Sequence, residues 1–192
     1  MRRYWTADDH LGHNSKKGGV IEYAARPFRD TVHMNKRLID GANERVKADD
    51  VCIVVGDWMI SGGGSRFLEW RNMLHGHWVF LEGNHDKNNK VKTIGKSLFT
   101  KISHFNVFVD HIPYFYTEGL FEDIKYWHDP DLTAYVEKTC DFALCGHVHE
   151  KWKHSMVGKI PCINVGVDVW NYLPAGDDDI ANYYLKIKRG EI

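Results

Sequence analysis

Apolar runs that stop abruptly at clusters of Asp, Asn and His constrain this chain more than any other feature. Residues 3–7 end at Asp8-Asp9-His10, Val51–Val55 ends at Gly56-Asp57, and residues 78–81 end at Glu82-Gly83-Asn84-His85-Asp86. The second run is apolar at every position, the signature of a strand covered on both faces. Between the first two runs, Val32, Met34, Leu38, Ile39, Ala42 and Val46 recur at helical spacing, which predicts a helix over residues 31–46 with Asp30 or Thr31 as its cap. Beyond the Gly62-Gly63-Gly64 stretch, Phe67, Leu68, Met73 and Leu74 predict another. Strands alternating with helices indicate an α/β fold, in which loops at the carboxyl ends of strands share one crevice. The polar clusters should therefore meet in space.

The second half repeats the pattern less clearly. Residues 102–109 alternate like one strand leading to Asp110-His111-Ile112-Pro113, and residues 142–145 form a short apolar run before Gly146-His147-Val148-His149. Strands are also expected over residues 160–169 and 183–187, while lysine-rich residues 87–101 read as helix or loop. Residues 114–130 are aromatic and irregular, a length that suits a functional loop or lid better than a connector.

A length of 192 residues fits one domain spanning 1–192. The formal net charge of -1 gives no global attraction to nucleic acid or anionic lipid, so phosphate recognition must be local. No apolar run approaches the roughly 20 residues that span a bilayer, and the first residues lack a signal-peptide core, so no membrane association is expected. Cys52, Cys140, Cys145 and Cys162 form no CxxC pair and fall mainly in apolar runs. They read as reduced core thiols, which predicts a cytoplasmic setting.

Asp8-x-His10 offers a carboxylate oxygen and an imidazole nitrogen after a strand, a pairing that suits a borderline divalent metal. Gly83-Asn84-His85-Asp86 places an amide, an imidazole and a carboxylate on one turn, and Gly146-His147-x-His149 projects two imidazoles after a strand. Taken alone, each is also ordinary turn or surface chemistry. Together, and in this order, Asp8-x-His10, Gly56-Asp57, Gly83-Asn84-His85-Asp86, His111-x-Pro113 and Gly146-His147-x-His149 resemble the motif set of the calcineurin-like metallophosphoesterase superfamily. Arg26-Pro27-Phe28 and residues 164–172 resemble a subgroup of small bacterial and phage-type phosphoesterases.

That resemblance implies a calcineurin-like β-sandwich of mixed sheets flanked by helices, with a metal site at the carboxyl ends of the strands. It implies one divalent ion on Asp8, His10, Asp57 and His149, and a second on Asp57, Asn84, His111 and His147. Mn2+ is the ion expected, with Fe, Zn or Ni as alternatives. Such ions stand about 3.5–4 Å apart and activate a bridging hydroxide that attacks phosphorus. His85 would act over the phosphate as acid or transition-state donor, with Asp86 hydrogen-bonded to its ring as the second catalytic residue. His13 and Arg26 are candidate substrate contacts, and Asp168 a candidate partner for a ligand imidazole. The implied function is hydrolysis of phosphomonoesters or phosphodiesters, nucleotides among them. The alternatives are a nuclease, for which the run Lys87, Lys90, Lys92, Lys96 and Lys101 speaks, and a non-catalytic metal-binding homologue. Tyr114, Phe115, Tyr116 and Trp127 are candidates for an aromatic wall against a flat leaving group.

Overall fold

The computed structural model describes residues 1–14, 19–60, 64–113 and 130–192. The aromatic wall, nearly all of the expected lid and Gly62-Gly63 lie outside them. The described chain is a mixed α/β structure of two mixed sheets flanked by helices, the architecture the motif resemblance implied. In the first sheet, β1 (Arg3–Thr6), β2 (Val51–Val55) and β3 (His77–Leu81) run parallel, and β9 (Ala175–Gly176) pairs antiparallel with β1. The second sheet has the order β4 (Ser97–Ile102), β5 (Phe105–Asp110), β6 (Phe142–Cys145), β8 (Ile160–Asn164) and β7 (His154–Val157). Its three central strands β5, β6 and β8 run parallel, and an antiparallel strand closes each edge.

The two-residue period of the strands divides their side chains between layers. Trp5, Ile53, Val55 and Leu81 from the first sheet meet Val107, Val109, Phe142, Leu144 and Ile163 from the second in a central core. Val54 and Phe80 point the other way, onto a layer that includes α2 (Thr31–Arg45) and α3 (Gly64–Arg71). Phe108, Ala143, Cys145 and Cys162 pack against Val136 of α4 (Pro130–Thr139) and Cys140 just after it. Burying both faces explains why β2 and β6 are apolar throughout.

Several expected boundaries shift. The run over 102–109 is not one strand: Ile102 closes β4, Ser103-His104 forms a tight turn with Ser103 at φ 56°, and β5 begins at Phe105. The turn lacks the Gly or Asn that usually signals a hairpin. The lysine-rich segment becomes turns followed by β4. The expected strand over 160–169 stops at Asn164 and gives way to a single 3-10 turn at Val167–Val169. Residues 183–187 are helical, inside α5 (Asp177–Lys188), with acids in its first turn and lysines in its last, matching the helix dipole.

Candidate metal centre

The parallel strands β1, β2 and β3 deliver Asp8, His10, Asp57 and Asn84 to one edge of the molecule, and β5 and β6 deliver His111, His147 and His149 to the same edge. The loops are locked together by backbone bonds. Asp8 N–H donates to Gly56 O at 3.1 Å, and His10 N–H to Asp57 O at 3.1 Å. Gly146 N–H donates to His111 O at 3.0 Å, while an Ala7–Gly166 bridge ties the end of β1 to the segment after β8.

Asp8 (φ 57°), His10 (φ 51°), Asp57 (φ 54°), His147 (φ 71°) and His149 (φ 50°) all hold left-handed backbone conformations. Each costs roughly 1 kcal/mol or more in a non-glycine residue, and such strain concentrates at functional sites. Glycines open the space. A Cβ on Gly56, itself at φ +81°, would stand 2.5 Å from the His111 ring, and one on Gly83 would strike the Asp57 carboxylate.

The side chains converge as their loops do. Asn84 Oδ1 lies 3.0 Å from His111 Nε2 and 3.1 Å from His147 Nδ1, and Asp57 Oδ2 lies 3.3 Å from His111 Nε2 and 3.7 Å from His10 Nε2. Donor atoms of Asp8, His10 and His149 fall within 4.8 Å of one another, as do those of Asp8, Asp57 and His111. The first trio belongs to one expected ion; the second places Asp8 beside the other as well.

A fixed partner behind two of the rings, His111 and His149, turns one nitrogen outward, as metal-binding imidazoles require. His111 Nδ1–H donates to Val55 O at 2.8 Å, leaving Nε2 toward Asp57. His149 Nδ1–H donates to Asp168 at 3.0 Å, leaving Nε2 4.0 Å from Asp8 Oδ1. Neither ring nitrogen of His10, which is buried, has a hydrogen-bond partner among the described residues. Asn164, which motif reasoning did not single out, holds the His149 loop by donating from Nδ2 to His149 O and Trp152 O while accepting from Gly166 N–H.

Two expectations need correction. Arg26 does not face a substrate: it is buried, and all five of its N–H groups have acceptors. Nε and one terminal nitrogen fork onto Asp168 at 2.7 and 2.9 Å, and the remaining N–H groups reach the carbonyls of Asp8 and Asp9 and the Met34 sulfur. Arg26 therefore braces the loop that carries Asp8 and fixes the Asp168 that holds His149. Asp86, likewise, does not support the His85 ring. Its buried carboxylate accepts backbone N–H groups of Gly83 at 2.8 Å, Asp57 at 2.7 Å and Trp58 at 3.1 Å, pinning the β2 and β3 loops to each other.

His85 itself is half-exposed, with Nε2 3.8 Å from Asp57 Oδ2 and its backbone N–H bonded to Asp57 Oδ1. His13 packs its ring nearly flat on His10, centroids 5.4 Å apart. The lysines of the run 87–101 are exposed, and Lys96 lines a cavity of about 60 Å³ with Asn84, Asp110 and His111. Tyr23, in the short helix α1 (Val20–Tyr23), enters the site unannounced by any motif, its hydroxyl hydrogen-bonded to His149 Nε2 at 3.0 Å.

The electrostatics show what the cluster lacks. Burial pushes the Asp57 carboxyl up, but the charge and hydrogen bond of His111, aided by His10 and His85, hold it below the usual carboxylate range. Burial disfavours a charged His111, yet Asp57 and Asp8 outweigh it and raise the imidazole to about 10. Burial drives His10 well below its ordinary value, and burial with His111 lowers His147 to about 4. A proton on His111 and a cation beside it would thus balance the same carboxylates, while His10 and His147 stay neutral. The residues fit divalent ions with mixed N/O preference.

No family model matches the chain. An uncharacterized protein of Methanocaldococcus jannaschii is 28% identical over 193 residues, covering 98% of this chain and 94% of that one. The crystal structure of a protein of unknown function from Aquifex aeolicus superposes with a TM-score of 0.68 at 20% identity over 95% of this chain and 98% of that chain, which shows a shared fold. A novel archaeal phosphodiesterase gives a TM-score of 0.45 at 17% identity, covering 86% and 84% of the two chains. The fold and the site define a two-sheet α/β protein with candidate Asp and His metal-ligand groups at one edge.

Proposed function

We propose that this protein is a metal-dependent phosphoesterase that hydrolyses phosphomonoesters or phosphodiesters, nucleotides being one substrate class, with Mn2+ the preferred ion. The observation that carries this is His10: a buried imidazole with neither nitrogen partnered among the described residues, beside Asp8, Asp57 and His149, is costly unless a cation sits among them. One ion would be held by Asp8, His10, Asp57 and His149, and a second by Asp57, Asn84, His111 and His147. Bound ions of this kind supply an activated water and neutralise charge on a phosphate.

The chain's own groups do the rest. Val55 O and Asp168 orient the His111 and His149 rings, and Asp86 holds the Asp57 loop against the Asn84 turn. His85, half-exposed with Nε2 3.8 Å from Asp57 Oδ2, is placed to donate a hydrogen bond to the leaving oxygen.

Chromogenic phosphomonoester and phosphodiester assays with Mn2+, Fe2+, Zn2+ or Ni2+ test the reading. Metal-loaded wild type should turn over at least one ester, and Asp57→Asn should lower kcat/KM by about 100-fold or more. Equal activity of wild type and Asp57→Asn, or none with any ion, would overturn it.

A further inference from the structure

A phosphate ester at this centre needs donors for its non-bridging oxygens besides the cations. The guanidinium expected to serve, that of Arg26, is buried with its N–H groups taken by Asp168, the Asp8 and Asp9 carbonyls and Met34. A different donor stands on the open side. The half-exposed ring of Tyr23 meets the His149 ring edge-on at 5.1 Å and lies 6.4 Å from that of His10, and its hydroxyl sits 3.0 Å from His149 Nε2.

That nitrogen is the one aimed at Asp8, because Nδ1 is held by Asp168. A cation held by Asp8, His10 and His149 would take the Nε2 lone pair, so the phenol would lose that partner while the edge-on contact with the His149 ring remains. Its O–H is then available to a ligand of that ion. We propose that the Tyr23 hydroxyl donates a hydrogen bond to a non-bridging oxygen of the phosphate group bound at this centre, making Tyr23 a substrate-binding residue. The inference rests on the phosphoesterase reading and deepens it.

Tyr23→Phe keeps the ring and removes only the hydroxyl. Wild type and variant, both loaded with Mn2+, are compared for metal content, for binding of inorganic phosphate by calorimetry, and for turnover of a chromogenic phosphoester. The expected result is unchanged metal content, phosphate affinity weakened about tenfold, and kcat/KM lowered roughly 10- to 100-fold. Turnover by wild type with an equally active Tyr23→Phe overturns the inference alone. So does a loss of bound metal in Tyr23→Phe, which would make the hydroxyl a support for His149. A phenolate-to-iron absorption band in ferric-loaded wild type that the variant lacks also overturns it, since the oxygen would then be a ligand. Wild type with neither turnover nor phosphate binding overturns the inference together with the reading beneath it.

Discussion

At the scale of single residues, Asp86 separates a catalytic role from a structural one. As the partner of a catalytic imidazole, its loss would alter the acid-base profile of turnover. As found, it is a buried acceptor for the N–H groups of Gly83, Asp57 and Trp58, and burial, followed by the nearby Asp57 charge, lifts its carboxyl to about 6. Asp86→Asn keeps the shape but offers one oxygen where two now accept. The variant should lose about 1–3 kcal/mol of unfolding free energy in urea while the pH profile of kcat keeps its wild-type form, and a displaced acidic or basic limb would return Asp86 to the chemistry. The residues brought together at the centre were legible because each follows an apolar run, so strand prediction and ligand prediction were one inference. The direction in which the Asp86 side chain turns was not, since a Gly-Asn-His-Asp turn can aim its last carboxylate at the ring or at the backbone. Tyr23 and the buried end of Arg26 were illegible for a related reason: the sequence from Leu11 to Pro27 has no periodicity from which facing can be read.

At the scale of elements, sequence pattern located β1, β2, β3, β6 and α2 to within a few residues, because burial on one or two faces imposes its period directly on the chain. It failed at α5. Tyr183-Tyr184-Leu185-Lys186-Ile187 has strand-like composition, and local propensity alone favours an extended form. Tertiary packing decides otherwise: Ile180, Ala181 and Tyr184 stand on one helical face and fill the end of the central core. The Tyr184 ring stacks on Phe142 with centroids 4.5 Å apart and meets Phe105 edge-on at 4.8 Å, so it joins α5 to β5 and β6. Replacing it with alanine opens a cavity between helix and sheet. Tyr184→Ala should cost about 3–5 kcal/mol in urea unfolding, whereas a strand over these residues with Tyr184 turned outward would tolerate the change within about 0.5 kcal/mol.

At the scale of the whole molecule, the candidate centre is where the two sheets are joined at their carboxyl edge. Asp8, His10, Asp57 and Asn84 follow strands of the first sheet, and His111, His147 and His149 follow strands of the second. Direct bonds across this seam are polar, among them His147 N–H to Asp8, His111 Nδ1–H to Val55 O, the contacts of Asn84 Oδ1 with the His111 and His147 rings, and the bridge between Ala7 and Gly166. Below it the sheets adhere through the apolar core, but at the seam itself Asp8 and Asp57 are buried carboxylates whose repulsion is offset by protons on nearby histidines, as on His111, and by backbone N–H donors. A cation bound there would bridge the sheets and replace those protons. Because the candidate ligands lie far apart in sequence, the unfolded chain offers no equivalent site, and the binding energy of such an ion would become folding energy. Mn2+ at a hundredfold excess over its dissociation constant should add about 2.7 kcal/mol per site, raising the thermal midpoint by several degrees. Amide exchange should slow together at the ends of β1, β2, β5 and β6. Asp57→Asn, which touches both ligand groups, should abolish most of the gain. If the midpoint of the metal-stripped protein is the same with and without Mn2+, or if protection rises on one sheet only, the ions do not clamp the two sheets.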